Sequence, residues 1–366
     1  MASIKKYATA KGTRWRVQYR SPDGRSRTKR GFETKAKAQA WADKNAVSIH
    51  DQDWIDPADS KATVGHYQVA WNSNLQHLKP KTAHDQRAIW RNHVSPQWKH
   101  RQVGGIRPSE VQAWLNGIDK SASLVRQAHA CLAQILDLAM ADRAIRTNPA
   151  RGVKLPRKDE AVKVYLTAGQ LGKLAGACTR NGELVWLLGT VGLRWGEAAA
   201  LRVKDVNVLR RRISIERNAV TVGTEVVIGT PKTHERRTVV VPASVVKLLE
   251  KKMAGKAADD LLWPRCDGSP MRPPSHGDWY YTALDRCMAA DPDFPRVTPH
   301  GLRHVAAGLM VSAGANVKLV QRQLGHSSAA MTLDVYAELW DEDLEAVGAA
   351  VDEKISDVVK LQSKRA

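Results

Sequence analysis

The sequence predicts a multidomain, helix-rich chain. A small α+β domain (three-stranded sheet plus helix) comes first, then an all-α domain, then a mixed, mainly-α domain with a small antiparallel sheet. Three observations predict it. The chain has 366 residues, enough for two or three separate cores at roughly 150 residues per domain. Its apolar periodicity changes along the chain, from alternation to helical spacing to a mixture of both. Two stretches without pattern, an acidic one around Asp51–Asp59 and a basic one at Arg151–Lys163, separate these regimes as linkers. The boundaries that result are 1–55, 62–152 and 160–340, with 341–366 as a carboxyl-terminal helix and tail.

The first domain starts with a strand. Trp15, Val17 and Tyr19 alternate with Arg14, Arg16, Gln18 and Arg20, giving one apolar and one cationic face. Ser21-Pro22-Asp23-Gly24 reads as a turn. Arg25–Phe32, which carries Arg25, Arg27 and Lys29, then pairs back as a second basic strand. Thr34 caps a helix through about Ala46, with Ala38, Trp41 and Ala42 on one face and Tyr19 in the core beneath it.

Residues 63–150 carry helix-spaced apolar positions over Thr63–Leu78, Thr82–Val94, Pro108–Ile118 and Ser121–Asp142, and Asn148-Pro149 stops the last helix. Lys79, Lys81, Arg87 and Arg91 are interspersed among them. From Tyr165 helices are expected at Ala168–Ala177, Leu184–Val191 and Gly196–Leu201, followed by strands at Arg212–Arg217, Thr224–Gly229 and Arg237–Val241. Helices resume near Ala243–Met253, Trp279–Met288, Leu302–Ala313 and Val317–Leu324. In the tail, Leu344, Val347, Val351, Ile355 and Val358 recur at helical spacing.

Composition narrows the function. The formal net charge is +20, which argues for a polyanionic partner, most often nucleic acid. The first fifty residues hold thirteen Lys and Arg against Asp23, Glu33 and Asp43, so half the excess sits in one small domain. A basic sheet of this kind can enter the major groove of DNA. The most apolar stretch, near Leu184–Leu193, is far too short to span a membrane, and no basic-then-apolar leader opens the chain. Cys131, Cys178, Cys266 and Cys287 are scattered without a CxxC pair, so they read as packing residues of a cytoplasmic protein. No GxxxxGK[ST] or GxGxxG motif marks a nucleotide cofactor. His300 and His304 lie four apart, but Gly301 stands where a zinc peptidase helix needs Glu, so no metal is expected.

What remains is an ordered set of cations and imidazoles. Arg194 lies in Val191-Gly192-Leu193-Arg194-Trp195-Gly196-Glu197, and Lys232 in Thr230-Pro231-Lys232-Thr233. His300-Gly301-Leu302-Arg303-His304 follows, then Leu324-Gly325-His326-Ser327-Ser328, and finally Tyr336 in Thr332-Leu333-Asp334-Val335-Tyr336. Each piece is weak alone. In this order the set resembles the tyrosine recombinases, also called the phage integrase family, most closely over Val191–Val206 and His300–Tyr336, with Thr230–Pro242 in support. Gly301 stands where many members have Asp, and Glu338 replaces a frequent His; neither position carries the family's chemistry.

The resemblance implies site-specific recombination through a 3′-phosphotyrosine and a Holliday junction, without metal or ATP. Tyr336 would be the nucleophile, Arg194 and Arg303 the clamp on the phosphate, His300 the base and Lys232 the acid, with His326 hydrogen-bonded to the phosphate. It further implies that residues 1–50 bind arm-type DNA and that residues 63–150 bind core-type DNA. A homotetramer on double-stranded DNA, a host DNA-bending factor and an excisionase are implied as well. The apolar stripe of the tail could fold back onto its own domain; the resemblance implies instead that it docks on a neighbouring protomer. Tyr280 and Tyr281, in an apolar helical stretch, are not expected to be nucleophiles. A chromosome-dimer resolvase or transposon recombinase would use the same chemistry, although resolvases of the Xer kind lack an arm-binding domain. A non-catalytic architectural factor would not need Tyr336, and a metal-dependent nuclease should show a carboxylate cluster.

Overall fold

The computed structural model describes residues 2–10, 12–22, 24–51, 54–55, 59–158, 163–230, 236–330, 332–333, 348, 351–353 and 355–356. They divide into two compact units, Met1–Glu160 and Ala161–Ala366.

The first unit opens with an antiparallel sheet of β1 (Ser3–Thr9), β2 (Gly12–Arg20) and β3 (Ser26–Phe32), with β2 central. The third strand of the expected sheet is thus Ser3–Thr9, whose Ile4 pairs with Val17. Helix α1 (Lys35–His50) begins where the Thr34 hydroxyl accepts from the Lys37 N–H, and runs a turn beyond Ala46. Val17, Ala38 and Ala42 form a small buried core. Tyr19 packs edge-on against Trp41, with ring centroids 5.3 Å apart.

A second, larger core follows in the same unit. Helix α2 (Val64–Asn74) is capped by the Thr63 hydroxyl. Helix α3 (Pro80–Ile89) widens into a π turn over Trp90–Val94 before α4 (Ser95–Trp98), where Pro96 cannot donate a backbone hydrogen bond. Helices α5 (Pro108–Asn116) and α6 (Ala122–Ala141) complete the bundle. The stretch after α6 is only partly a loose linker. Val153 and Leu155 pack against the bundle core. The Gln112 side chain pairs with both the N–H and the C=O of Lys154, and Arg126 donates to the Pro156 carbonyl.

The second unit is built on α7 (Ala168–Ala177), α8 (Gly182–Val191) and α9 (Trp195–Ala199). Strands β4 (Val206–Asn207), β5 (Arg212–Ile215) and β8 (Arg237–Val240) form one antiparallel sheet, and β6 (Asn218–Val222) with β7 (Glu225–Gly229) a separate hairpin. Two small sheets therefore replace the single one expected, because Asn218–Val222 is a strand too. Helices α10 (Ala243–Met253), α11 (Trp279–Ala290), α12 (Leu302–Ser312) and α13 (Val317–Leu324) complete the unit. Helix α8 is apolar on nearly all sides because it is the central helix: Leu184, Val185, Leu187, Leu188 and Val191 are all buried, with α7, α10 and α12 packed around it. Of the cysteines expected to pack, Cys266 is exposed; it sits in the turn before Asp267-Gly268, outside any core. No helix among the described residues is long and apolar enough to cross a membrane.

Candidate active site

Two helix ends and two helix starts meet at the site. Helix α8 stops at Gly192, which takes a left-handed conformation with φ +76°. A Cβ there would lie 2.4 Å from Leu324 Cδ2, so only glycine fits this close approach. Arg194 follows as the N-cap of α9. Helix α13 ends in the same way at Gly325, φ +69°, and His326 follows. His300 precedes α12, and Arg303 lies in its first turn.

The carbonyls of the two glycines hold the two arginines. Arg303 Nη1 donates to Gly192 O at 2.7 Å, and Arg194 Nη2 donates to Gly325 O at 3.2 Å. Each helix stop thus orients a guanidinium carried by another segment. Arg303 is 5% exposed, and the Arg194 side chain is 23% exposed.

Beneath Arg194 lies Glu197, 1% exposed. Its Oε2 accepts from the Arg194 backbone N–H at 3.0 Å and its Oε1 from Arg194 Nη1 at 2.9 Å. Arg237 reaches the same carboxylate from β8, Nη1 to Oε1 at 2.9 Å and Nη2 to Oε2 at 2.7 Å. Burial alone would raise the Glu197 pKa, but the Arg237 fork and then Arg194 outweigh it and hold the carboxyl at about 2.

The imidazoles share this field. Burial, then Arg303 and Arg194, lowers His300 below the usual histidine range, so it is neutral and able to accept a proton at neutral pH. Burial and the same two arginines push His326 down to about 4. Its Nδ1 lies 2.9 Å from the hydroxyl of buried Thr332. With that hydroxyl donating, the ring carries its proton on Nε2 and presents a neutral donor. His304 lies edge-on to His300, ring centroids 6.0 Å apart, and is lowered by burial and by His300. Among the described residues no group of three His, Cys, Asp or Glu could hold a metal ion.

The structure therefore brings Arg194, His300, Arg303 and His326 together. Lys232 and Tyr336 lie outside the described residues. Sequence motifs assign no role to Glu197, which lies in the arginine motif, or to Arg237, which begins a strand. The motif around Arg194 could have flagged Glu197, because a Glu three residues after an N-cap reaches back to it. Tyr280, by contrast, is buried and donates to the Val297 carbonyl at 3.0 Å, and burial raises its pKa well above the usual tyrosine range.

Of the basic residues read as DNA contacts, Arg20, Arg25, Lys29, Lys79, Lys81, Arg87 and Arg91 are exposed, while Arg14, Arg16 and Arg27 are half-buried. Several also serve the fold. Arg14 lies 3.6 Å from Glu33, Arg27 donates to the Ser21 hydroxyl and stacks over Trp54, Lys81 pairs with Asp85, and Arg87 donates to Asn72.

The phage integrase family matches residues 164–342. The prophage phiRv2 integrase of Mycobacterium tuberculosis is 27% identical over 87% of this chain and 88% of its own length. The integrase of Mycobacterium phage D29 is 26% identical over 89% of this chain and 90% of its own. Among solved structures, the Tn1549 transposon integrase in complex with a circular intermediate DNA has a TM-score of 0.66 at 20% identity, covering 78% of this chain and 99% of that one. A lambda integrase tetramer bound to a Holliday junction has a TM-score of 0.55 at 17% identity, covering 88% of this chain and 96% of that one. The matched family domain spans the segment that holds Arg194, His300, Arg303 and His326, and the integrase relatives extend over most of the chain; residues 164–342 are a domain of the phage integrase family of tyrosine recombinases.

Proposed function

We propose that the chain is a phage-type integrase that joins and separates two DNA attachment sites by cutting and resealing strands through Tyr336. The observation that carries this reading is the cluster of two guanidiniums and neutral imidazoles around Gly192 and Gly325. A phosphodiester gathers negative charge on its non-bridging oxygens as it is attacked. Arg194 and Arg303 would bind those oxygens with forks that stay charged at any working pH. The Tyr336 oxygen attacks phosphorus, and His300 takes its proton. The 5′-oxygen leaves with a proton from Lys232, giving a 3′-phosphotyrosine and a 5′-hydroxyl. A 5′-hydroxyl from the second duplex reverses each transfer, so the bond energy is kept and no nucleotide is spent. His326 would donate Nε2–H to the phosphate.

The division of labour follows the same reading. Residues 1–55 would hold arm-type DNA on the cationic side of their sheet, residues 62–152 would lie on core-type DNA, and 160–340 would cut it. Four copies act together on a junction in the bacterial cytoplasm, with a DNA-bending factor and an excisionase setting direction. The carboxyl-terminal stripe would dock on a neighbouring copy. The exposure of Val351 at 51% and Ile355 at 47% supports this, since about half of each of these apolar side chains stays open to a partner; Leu344, Val347 and Val358 lie outside the described residues. Deletion from Asp341 should abolish recombination while leaving DNA binding intact; normal tetramers and recombination in the truncated protein would refute the docking.

The deciding experiment incubates the protein in EDTA with a nicked duplex taken from the DNA flanking its gene. Wild type should give a covalent protein–DNA adduct on a denaturing gel and Tyr336→Phe none. An adduct from both proteins would remove Tyr336 from the nucleophile's role. In parallel, Arg20→Ala with Arg25→Ala should weaken arm-site binding by about tenfold or more, each lost phosphate contact also reducing the salt slope by about 0.9. Cleavage of a short core duplex should be unchanged, and equal loss of both activities would refute the division.

A further inference from the structure

Arg237 is a cation of this site to which the sequence motifs assign no role. It is the first residue of β8, and its side chain is 12% exposed. Both of its terminal nitrogens engage Glu197, whose two oxygens also take the Nη1 and the backbone N–H of Arg194. The two arginines thus share one buried carboxylate. The rest of the Arg237 side chain lies against Gly325: a Cβ on that glycine would come within 2.7 Å of Arg237 Nε and 2.8 Å of its Cδ. Gly325 in turn receives Arg194 Nη2 on its carbonyl and precedes His326.

The same strand is strapped at its other end. Val240 N–H donates to Gln323 Oε1 at 3.1 Å, and Gln323 Nε2 donates back to Val240 O at 2.7 Å. Gln323 is in the last turn of α13, two residues before Gly325. Strand β8 therefore fixes both the start of α9 and the end of α13, and in sequence Lys232 lies five residues ahead of Arg237.

We infer that Arg237 is a positioning residue for strand cleavage: it holds Arg194 through Glu197 and His326 through the Gly325 turn, so that both meet the phosphate in one geometry. The inference rests on the reading of the site given above. A direct phosphate contact by Arg237 is the rival role, and the commitment of both its terminal nitrogens to Glu197 argues against it. Lysine is a poor substitute, because one ammonium cannot bridge two carboxylate oxygens while lying flat on a glycine backbone.

The test uses the full-length chain and a nicked duplex from the DNA flanking the gene, selected for adduct formation by wild type. Arg237→Gln and Arg237→Lys should each slow single-turnover adduct formation by about tenfold or more, a fraction of what loss of a direct phosphate donor costs. The Kd for the same duplex should stay within about twofold. In a double-mutant cycle, Arg237→Gln should cost much less in a Glu197→Gln background than alone, because both act on Arg194. An undiminished rate in Arg237→Gln, full rescue by Arg237→Lys, additive losses, or a weaker Kd at unchanged rate would each overturn the positioning role. A variant that loses the wild-type thermal transition is set aside in favour of the other. Adduct retained by Tyr336→Phe would instead overturn the reading of the site, and the inference with it.

Discussion

Arg303→Ala is expected to slow covalent-adduct formation by about 10²–10³-fold, the usual cost of removing one preorganised donor from a developing oxyanion. The structure gives the reason for placing this loss in rate rather than binding. Arg303 is almost wholly buried and anchored to the Gly192 carbonyl at 2.7 Å, so its orientation is set before any substrate arrives and costs no reorganisation during the reaction. On the proposed reading a core duplex would make many other phosphate contacts through exposed basic residues, so the Kd should change by only a few-fold. Arg303→Lys should recover little, since an ammonium cannot both hold the Gly192 carbonyl and fork onto a phosphate. The His300 response provides a second reading: Arg303 is the first charge that lowers it, so the low-pH limb assigned to His300 should move to higher pH in Arg303→Ala. A Kd loss as large as the rate loss would make Arg303 a binding residue only.

The parts of this site legible in the sequence are those encoded over short spans. Arg194, His300, Arg303 and His326 sit in compact motifs whose turns need glycine at Gly192 and Gly325, and these survive as local patterns. Glu197 and Arg237 are not legible as a pair, because forty residues and four strands, β4 to β7, separate them, and it is the pairing of β8 with β5 and its tie to α13 that place Arg237. Strand β6 was missed for a different reason. Only Glu216 and Arg217 separate it from β5, with no Gly or Pro to punctuate the break, so its alternation merges with its neighbour's. The docked part of the Arg151–Lys163 stretch depends on the Gln112 amide, far away in sequence, supplying what a strand partner would.

Glu197→Ala should be the most damaging single change to the catalytic unit. It would leave Arg194 and Arg237 as partly buried guanidiniums facing an empty space, and breaking a buried pair on one side costs about 3–5 kcal/mol. The pKa gives a consistent scale: a carboxyl brought from 4.5 to about 2 by folding contributes about 3 kcal/mol at neutral pH. The sign follows from the lowered value. The folded protein binds this proton less readily than the unfolded chain, so the contribution is complete above about pH 4.5 and is lost as pH falls toward 2. The gap in unfolding free energy between wild type and Glu197→Ala should therefore be widest at neutral pH and narrow below pH 4.5. Glu197→Gln separates stability from geometry, because the amide keeps the volume and one acceptor but cannot receive both arginines as a carboxylate does. It should retain more stability than Glu197→Ala yet still cleave far more slowly than wild type, since Arg194 loses its charged anchor. A pH-independent gap, measured on the unfolding transition of residues 161–366, would show that Glu197 stabilises by packing and not by its charge.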